Sequence, residues 1–448
     1  MKKVLIANRG EIAVRVIRAC QELGLRTVAV HSLADKQALH AKLADESICI
    51  GPAESARSYL HIPSVMSAAE LAGVDAIHPG YGFLSENAEF ASVCEQYGVT
   101  FIGPLSTQMA TLGNKVQARK LAASVGVPML PGSEGTIKSE RKALAVAREI
   151  GFPVIIKAAA GGGGRGMKIA NSAEDFLRLF PLARREAQVS FGNPDCYIEK
   201  FLTHPRHIEV QILADHFGKV EHLGERDCSI QRRHQKIIEE APCPILSAKD
   251  RERVGELALK LVNAKGYRSL GTVEFLFNEG QFYFMEMNVR AQVEHPVTEM
   301  VTGIDLIKEQ ILIAQGKPLA LKARKICAGH AIECRINAED PVTFAPWPGK
   351  VTDFHQPGGL GVRVDSMLYS GYTVPSMYDS LLAKVIVYGD DRAECIVRMQ
   401  RALREMKVDG IRTNIEFHLR LLADEDFRTA NISTRFLDEF IGRNKAPL

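Results

Sequence analysis

Apolar and polar positions change their spacing several times along this chain, and each change marks a new element. KKVLIAN is a short apolar run that predicts a buried strand. In RGEIAVRVIRACQELG the residues Ala13, Val16, Ile17, Cys20 and Leu23 recur at helical spacing until Gly24 stops the helix. RTVAVHS, SICIG, VDAIHPG and VTFIGP predict further strands, with helical stretches between several of them. Strands alternating with helices predict a doubly wound parallel sheet over residues 1–112. No G-x-G-x-x-G follows the first strand, so a dinucleotide site has little support. A helical linker, 113–130, carries Lys115. A small α/β unit, 131–202, follows, and 203–448 reads as further strands, a central hairpin and helices; the fold class is α/β with an α+β C-terminal part.

The most informative alternation lies in TVEFLFNEGQFYFMEMNVRAQVEHPVTE, residues 272–299. TVEFLF and QFYFMEMN predict two strands joined at Asn278-Glu279-Gly280. Side chains alternate faces along a strand, so Glu286, Asn288 and Arg290 project together. With three residues in the turn, Glu274 joins that face, while Phe275, Phe277, Tyr283 and Met285 take the other and suit a core. Two carboxylates and an amide oxygen form a hard, oxygen-only surface of the kind Mg²⁺ uses when phosphates complete its shell. A solvated sheet face is the alternative. Arg290, Gln292 and Glu294 favour the first reading, because they add a cation, an amide and a base beside the metal ligands, as phosphoryl transfer to a second, anionic substrate requires.

Composition narrows the class. The chain has 448 residues, 46% hydrophobic and 24% charged, with a net charge of +3 spread along its length. A nucleic-acid surface is not indicated. No run approaches a membrane span, and charge interrupts the start too soon for a signal peptide, so a cytoplasmic protein is expected. The nine cysteines are scattered without a Cys-x-x-Cys pair, which argues for reduced, mostly buried thiols rather than disulfides or a zinc site.

Other segments carry candidate chemistry. FPVIIKAAAGGGGRGMKIA is a strand, a glycine run and a second strand. Lys157 closes the first strand, and Gly161 to Gly164 with Gly166 form either a phosphate-cradling lid or a flexible hairpin. It is not a Walker A loop, since no Gly-Lys-Ser/Thr follows. CYIEKFL ends in Glu199 and Lys200, where Glu199 is suited to accept from an adenine amino group. His207 and Glu209 alternate with Ile208 and Val210. ERDCSIQRRHQKIIEEAPCP crowds Arg226, Arg232, Arg233, His234 and Lys236 together, either as an exposed basic turn or as an anion-binding wall. Cys228 lacks a base beside it and reads as structural. In GHAIECRINAEDP, Ile332, Cys334 and Ile336 form one face and Glu333, Arg335 and Asn337 the other. Arg335 is thus either a salt-bridged sheet residue or a guanidinium for a developing enolate oxygen. Gly80 and Gly82 flank Tyr81 in HPGYGFLSEN, a plain loop or a ligand approach.

The motifs IANRGEIA, HPGYGFLSEN, VIIKAAAGGGGRGM, ERDCSIQRRHQK, EMNVRAQVEHPVTE and GHAIECRINAEDP, in this order, resemble the biotin carboxylase family, the biotin carboxylase subunits of bacterial acetyl-CoA carboxylases within the ATP-grasp superfamily. The resemblance covers essentially the whole chain. It implies an ATP-grasp fold with a doubly wound pre-ATP-grasp domain, a glycine-rich lid and a C-terminal sheet domain that forms the floor. It also implies ATP bound by Lys115, Lys157, His207, Gln231 and His234, with Gly163 and Gly164 over the phosphates and Glu199, Lys200, Phe201 and Leu202 at the adenine. Glu274, Glu286 and Asn288 would carry two Mg²⁺ or Mn²⁺ ions, with Glu274 and Glu286 also at the nucleotide. Lys236, Arg290, Gln292 and the Val293 backbone would bind bicarbonate, Glu294 would deprotonate it, and Arg335, with Tyr81, would contact biotin.

The resemblance further implies a homodimer, a biotin carboxyl carrier protein and carboxyltransferase subunits as partners, and the first half-reaction of fatty acid synthesis. Ala160 stands where relatives commonly begin a fifth glycine, and Val289 and Ala291 replace residues that are more often Thr or Pro and Ile. No Ala-Met-Lys-Met biotinylation setting occurs, so biotin is expected on a separate carrier. His295-Pro296 weakly favours an acyl-CoA over a pyruvate carboxylase. Another carboxyphosphate-forming ligase, such as a carbamoyl-phosphate synthetase half, and a silent nucleotide-binding subunit are the competing readings.

Overall fold

In the computed structural model, which describes residues 1–159, 167–321 and 329–443, five short strands open the chain. They are β1 Lys3–Ile6, β2 Arg26–Ser32, β3 Glu46–Gly51, β4 Ala76–His78 and β5 Thr100–Phe101. All pair in parallel in the order β3-β2-β1-β4-β5. The first helix, Gly10–Glu22, buries Ile12, Ala13, Val16, Ile17 and Cys20, the stripe its spacing predicts. The strand order reverses direction at β1, between β2 and β4. In open parallel sheets the crevice at such a switch point is where ligands sit. Here the loops after β1 and β4 meet there, and the Asn8 amide donates to the carbonyls of Pro79 and Tyr81, both at 2.7 Å.

A three-stranded antiparallel unit follows: β6 Val154–Ala158, β7 Met167–Ala170 and β8 Cys196–Lys200, ordered β7-β6-β8. Val154, Ile156, Ile198, Phe176 and Phe180 form its own small core. The glycine run joining β6 to β7, with Ala160, Gly163 and Gly164, lies outside the described residues, as does Cys327. The other eight cysteines are unpaired, and Cys49 alone among them is exposed.

The remaining strands that carry the site build one eight-stranded antiparallel sheet. It comprises β9 Arg206–Ala214, β10 Val220–Arg232, β11 Gln235–Ala241, β12 Ser269–Asn278, β13 Gln281–Asn288 and β14 His330–Asn337, with the strands Leu381–Gly389 and Val362–Ser366 at one edge. Ile208, Val210, Ile212, Val273 and Phe275 face one apolar core, and Ile332, Cys334 and Ile336 face another. The opposite face is charged. Arg226 pairs in register with Glu209, Glu209 with Glu274, and Glu274 with Glu286, so one row of ionisable side chains crosses four strands. Among the described residues no helix is long and apolar enough to cross a membrane.

The central hairpin corrects the expected turn. Glu279 and Gly280 alone form it, both at positive φ, as a tight two-residue hairpin requires, and Asn278 pairs with Gln281. That register would place Glu274 and Glu286 on opposite faces. A bulge at Met285 restores them, because the pairing shifts by one residue between Phe275↔Phe284 and Glu274↔Glu286. The core partners of Phe275 are consequently Phe282 and Phe284, in edge-to-face contact at 6.3 Å each. Tyr283 and Met285, expected in the core, are half-buried, and Met285 borders a cavity instead. A second two-residue turn, Arg233-His234, also at positive φ, joins β10 to β11.

Candidate active site

Two adjoining cavities, of about 300 and about 510 Å³, open on the charged face of the large sheet. His234, Lys236, Arg290 and Gln292 border both. The smaller one is closed by the three-stranded unit and the helix Lys115–Ser124. It gathers Lys115, Lys157, Glu199, His207, Gln231, Glu274, Glu286 and Asn288 from distant parts of the chain. The larger one is bounded by Asn8 to Ile12, Tyr81 to Phe83, Val293, Arg335 and Asp379 to Leu381.

At the shared wall, β11 carries Lys236 into a triangle of carboxylates. Its ammonium reaches Glu294 Oε1 at 2.7 Å, Glu274 Oε1 at 3.2 Å and Glu209 Oε1 in a short contact. Burial alone would discharge this lysine, but the three carboxylates hold it well above its ordinary range. Glu294 immediately precedes the helix His295–Thr302 and is wholly buried. Burial disfavours its charge, yet Lys236, Arg335 and Arg226 hold it well below the usual carboxylate range, so it stays ionised. Glu209 is pushed up to about 7, chiefly by burial and by Glu294. Arg226, in the segment read as either an exposed basic turn or an anion-binding wall, is fully buried and pairs with Glu209 at 3.1 Å, with further donation to Gln211 and Thr298.

Arg290 is fixed on several sides. Its Nε donates to Glu86 Oε2 at 2.9 Å, and its terminal nitrogens to Gln292 Oε1 at 2.9 Å and Asn288 Oδ1 at 3.1 Å. Arg335 donates to Glu239 Oε1 at 2.6 Å and to Glu294 Oε2 at 3.0 Å. Its main-chain carbonyl is held from behind by Asn414 and His418. Tyr81 turns its hydroxyl onto Glu11 in a short hydrogen bond. Val289 and Ala291 are buried in two separate apolar cores, away from the polar series that alternates with them.

On the other side, Lys115 meets Glu286 at 2.7 Å, and Lys157 meets Glu199 at 2.5 Å with Arg119 beside it. His207 Nε2 lies 3.0 Å from Glu274, and the amide of Gln231 reaches its Nδ1 at 2.7 Å. Burial lowers the His207 basicity, but Glu274 outweighs it and raises it overall. Burial depresses His234. Lys200 does not enter the cavity. Its ammonium is held by the carbonyls of Gly151 and Phe152, and Phe201 donates its N–H to Pro153. Phe201 and Leu202 are half-buried and, like Lys200, do not border this cavity.

Metal fit can be judged from the donor set. Glu274 and Glu286 oppose each other in register, and Asn288 follows two residues on, with its amide 2.6 Å from Glu274. Carboxylate and amide oxygens beside Lys115, Lys157 and His207 suit Mg²⁺ or Mn²⁺ bound together with phosphate. His207, Glu209 and Glu274 also bring ligand atoms within 4.8 Å of one another, but the Lys236 ammonium already pairs with two of them.

Sequence reasoning left the supporting residues Glu86, Glu239, Glu11, Arg119 and Lys384 unassigned. Glu86 lies inside HPGYGFLSEN, Glu11 lies inside IANRGEIA, and Lys384 interrupts the apolar run LLAKVIV.

Comparison with known proteins places the whole chain. Family models for the biotin carboxylase N-terminal domain, the carbamoyl-phosphate synthase L chain ATP-binding domain and the biotin carboxylase C-terminal domain match residues 1–109, 114–322 and 333–439. The biotin carboxylase of Pseudomonas aeruginosa is 55% identical over 99% of this chain and 100% of its own length. A biotin carboxylase-β,γ-ATP complex from Campylobacter jejuni superposes with a TM-score of 0.95 at 48% identity, covering 98% of each chain. The biotin carboxylase domain dimer of Hydrogenobacter thermophilus 2-oxoglutarate carboxylase, solved with MgADP, ADP and bicarbonate, gives 0.92 at 46% identity, over 98% of this chain and 97% of that one. Matching from end to end in both sequence and fold, the chain belongs to the biotin carboxylase family of ATP-grasp ligases.

Proposed function

We propose that this chain carboxylates biotin presented by a separate carrier protein, using ATP and bicarbonate, as the first half-reaction of an acetyl-CoA carboxylase. The observation that carries the reading is the shared wall. Lys236, Arg290 and Gln292 stand between a cavity suited to a nucleotide and a cavity suited to an acceptor, with an ionised base, Glu294, held against Lys236.

The proposed roles follow from position. Lys115, Lys157, His207, Gln231 and His234 hold the nucleotide and Glu199 borders its base, while Lys200, Phe201 and Leu202 stand outside the cavity. Gly163 and Gly164 belong to the lid that would cover the phosphates. Glu274, Glu286 and Asn288 would hold the divalent ions, which when bound supply neutralisation of phosphate charge. Lys236, Arg290, Gln292 and the Val293 backbone pin bicarbonate, a poor nucleophile that must be oriented and deprotonated. Glu294 takes its proton. The resulting carbonate oxygen attacks the γ-phosphorus and ADP departs, leaving carboxyphosphate. This breaks down to CO₂ and phosphate in a site that excludes water. Phosphate takes the N1′ proton of biotin, Arg335 holds the ureido oxygen as negative charge develops on it, and N1′ captures CO₂. Tyr81 borders the same cavity.

We further assign 1–112 to the pre-ATP-grasp domain, 113–130 to a linker, 131–202 to the lid and 203–448 to the floor and C-terminal domain. A cytoplasmic homodimer working with a carboxyltransferase completes the proposal. The test is ATP hydrolysis with Mg²⁺ and bicarbonate, with and without biotin. Stimulation by biotin with carboxybiotin formed is expected. Hydrolysis indifferent to biotin would sink the assignment. Reconstitution with carrier and carboxyltransferase should then yield malonyl-CoA from acetyl-CoA, and product from another acceptor instead would correct the acyl substrate.

A further inference from the structure

Lys384 is fully buried in the strand Leu381–Gly389, where an unpaired ammonium would be strongly disfavoured. Its Nζ donates to the main-chain oxygen of Val293 at 2.9 Å and lies 3.2 Å from Glu11 Oε2. The other oxygen of Glu11 accepts from the Tyr81 hydroxyl. Asp365 is more distant, 3.9 Å from Nζ, and its carboxylate is taken on both oxygens by Arg363. Glu333, the remaining acid nearby, has neither carboxylate oxygen hydrogen-bonded. Burial pushes its carboxyl well above the usual range, and no ion pair within 4 Å joins it to Lys384 among the described residues. The two groups nearest the Lys384 ammonium thus belong to two separate segments that border the larger cavity: the turn before Glu294 and the first turn of the helix Gly10–Glu22.

Register strengthens the case. Lys384 stands directly opposite Arg335 on β14. Arg335 holds the side chain of Glu294 and Lys384 the carbonyl of Val293, so neighbouring strand cations clamp consecutive residues of one turn. Resting on the function proposed above, we propose that Lys384 is a positioning residue: it sets the bicarbonate-holding turn against Tyr81 through Glu11, so that the nucleophile site and the biotin site keep a fixed separation. Lys384 touches no substrate in this arrangement and acts only through Val293 and Glu11.

The consequence is long-range and measurable without biotin. In the bicarbonate-dependent, biotin-independent ATPase of the full chain, Lys384→Met should raise the KM for bicarbonate about tenfold, the effect of a small misplacement, with the KM for ATP unchanged. Tyr81→Phe and Glu11→Gln should raise the same KM in the parent chain, yet add little in the Lys384→Met background, because the link is already cut. If Lys384→Met does not fold, the two other single variants read the same relay. A purely structural lysine would lower the melting temperature and the folded fraction while leaving the bicarbonate KM untouched, and that result would overturn the assignment. So would effects of Tyr81→Phe that add fully to those of Lys384→Met. Loss of bicarbonate-dependent turnover in the parent chain itself would overturn the proposed function first; with that turnover present, unchanged KM values would overturn only the role of Lys384.

Discussion

The two cavities on the charged face meet the same electrostatic problem and solve it differently. On the nucleotide side the lysines of two ion pairs are partly open to water, with side-chain exposure of 46% for Lys115 (27% for its partner Glu286) and 24% for Lys157, while Glu199 and the His207–Glu274 pair are buried. Pairs of this kind contribute little to stability, and their members are free to exchange partners. On the acceptor side Glu294, Glu239 and Lys384 are 0% exposed, and each is held by named partners on neighbouring strands. The first side therefore suits charges that must let go when phosphates and metal arrive. The second suits charges that must already be in place when a small, weak nucleophile is deprotonated. The lesson is that burial, not the number of charges, separates a site that rearranges from one that is preorganised.

The sharpest way to break this contrast is Glu294→Gln. Removing a buried base should lower bicarbonate-dependent ATP hydrolysis by about 10³-fold or more, while nucleotide affinity, followed by titration, stays near that of the parent chain. Retained turnover would remove Glu294 from the base role. Next in size is Arg335→Ala, expected to reduce biotin carboxylation by about 10²-fold and the biotin-independent ATPase far less. Equal losses in the two assays would mark a structural arginine. Lys115→Met probes the exchangeable side. It should raise the KM for ATP about tenfold with almost no change in melting temperature, since the pair it breaks is exposed; a large drop in melting temperature would mean that this side is as rigid as the other.

The last effect is one on stability rather than turnover, a pH dependence behind Arg335. His418 is buried against the Arg335 carbonyl, and burial lowers its pKa from 6.5 to about 4. Its folded pKa is depressed, so the unfolded chain binds the proton first. The stability it confers is complete above pH 6.5 and is lost as pH falls toward 4, by roughly 3 kcal/mol at most. Denaturant unfolding at pH 7, 5.5 and 4.5 should show that decline in the parent chain and a shallower one in His418→Asn. Parallel curves would assign the decline to other groups, such as the buried His40 and His78.

Much of this site was legible one residue at a time. The alternation in QFYFMEMNVRAQVE placed Glu286, Asn288, Arg290, Gln292 and Glu294 in one series, and the register puts Glu274 opposite Glu286. It does so for a different reason from the one the sequence suggested, because the turn holds two residues and a bulge at Met285 makes up the difference. A bulge has no reliable signature in a strand of alternating aromatic residues. Arg226 could be read from the sequence either as exposed or as part of an anion-binding wall, for a related reason. A run of basic residues looks solvated until the carboxylate that buries one of them, Glu209 on the adjacent strand, is paired with it in register.

The sequence by itself determined the periods: a parallel sheet first, a glycine-bearing hairpin next, then antiparallel strands with one polar face, together with most of the residues that line the cavities. Those are local properties, set by which side of a strand or helix a residue occupies. Tertiary structure alone decided which charges are fixed and which are free. Lys236 among three carboxylates, Arg226 beneath Glu209, and Lys384 between Val293 and Glu11 each depend on strands far apart in the chain coming into register. The protonation and rigidity of a buried charge follow from those long-range neighbours, because in a poorly solvated interior they replace water as its surroundings.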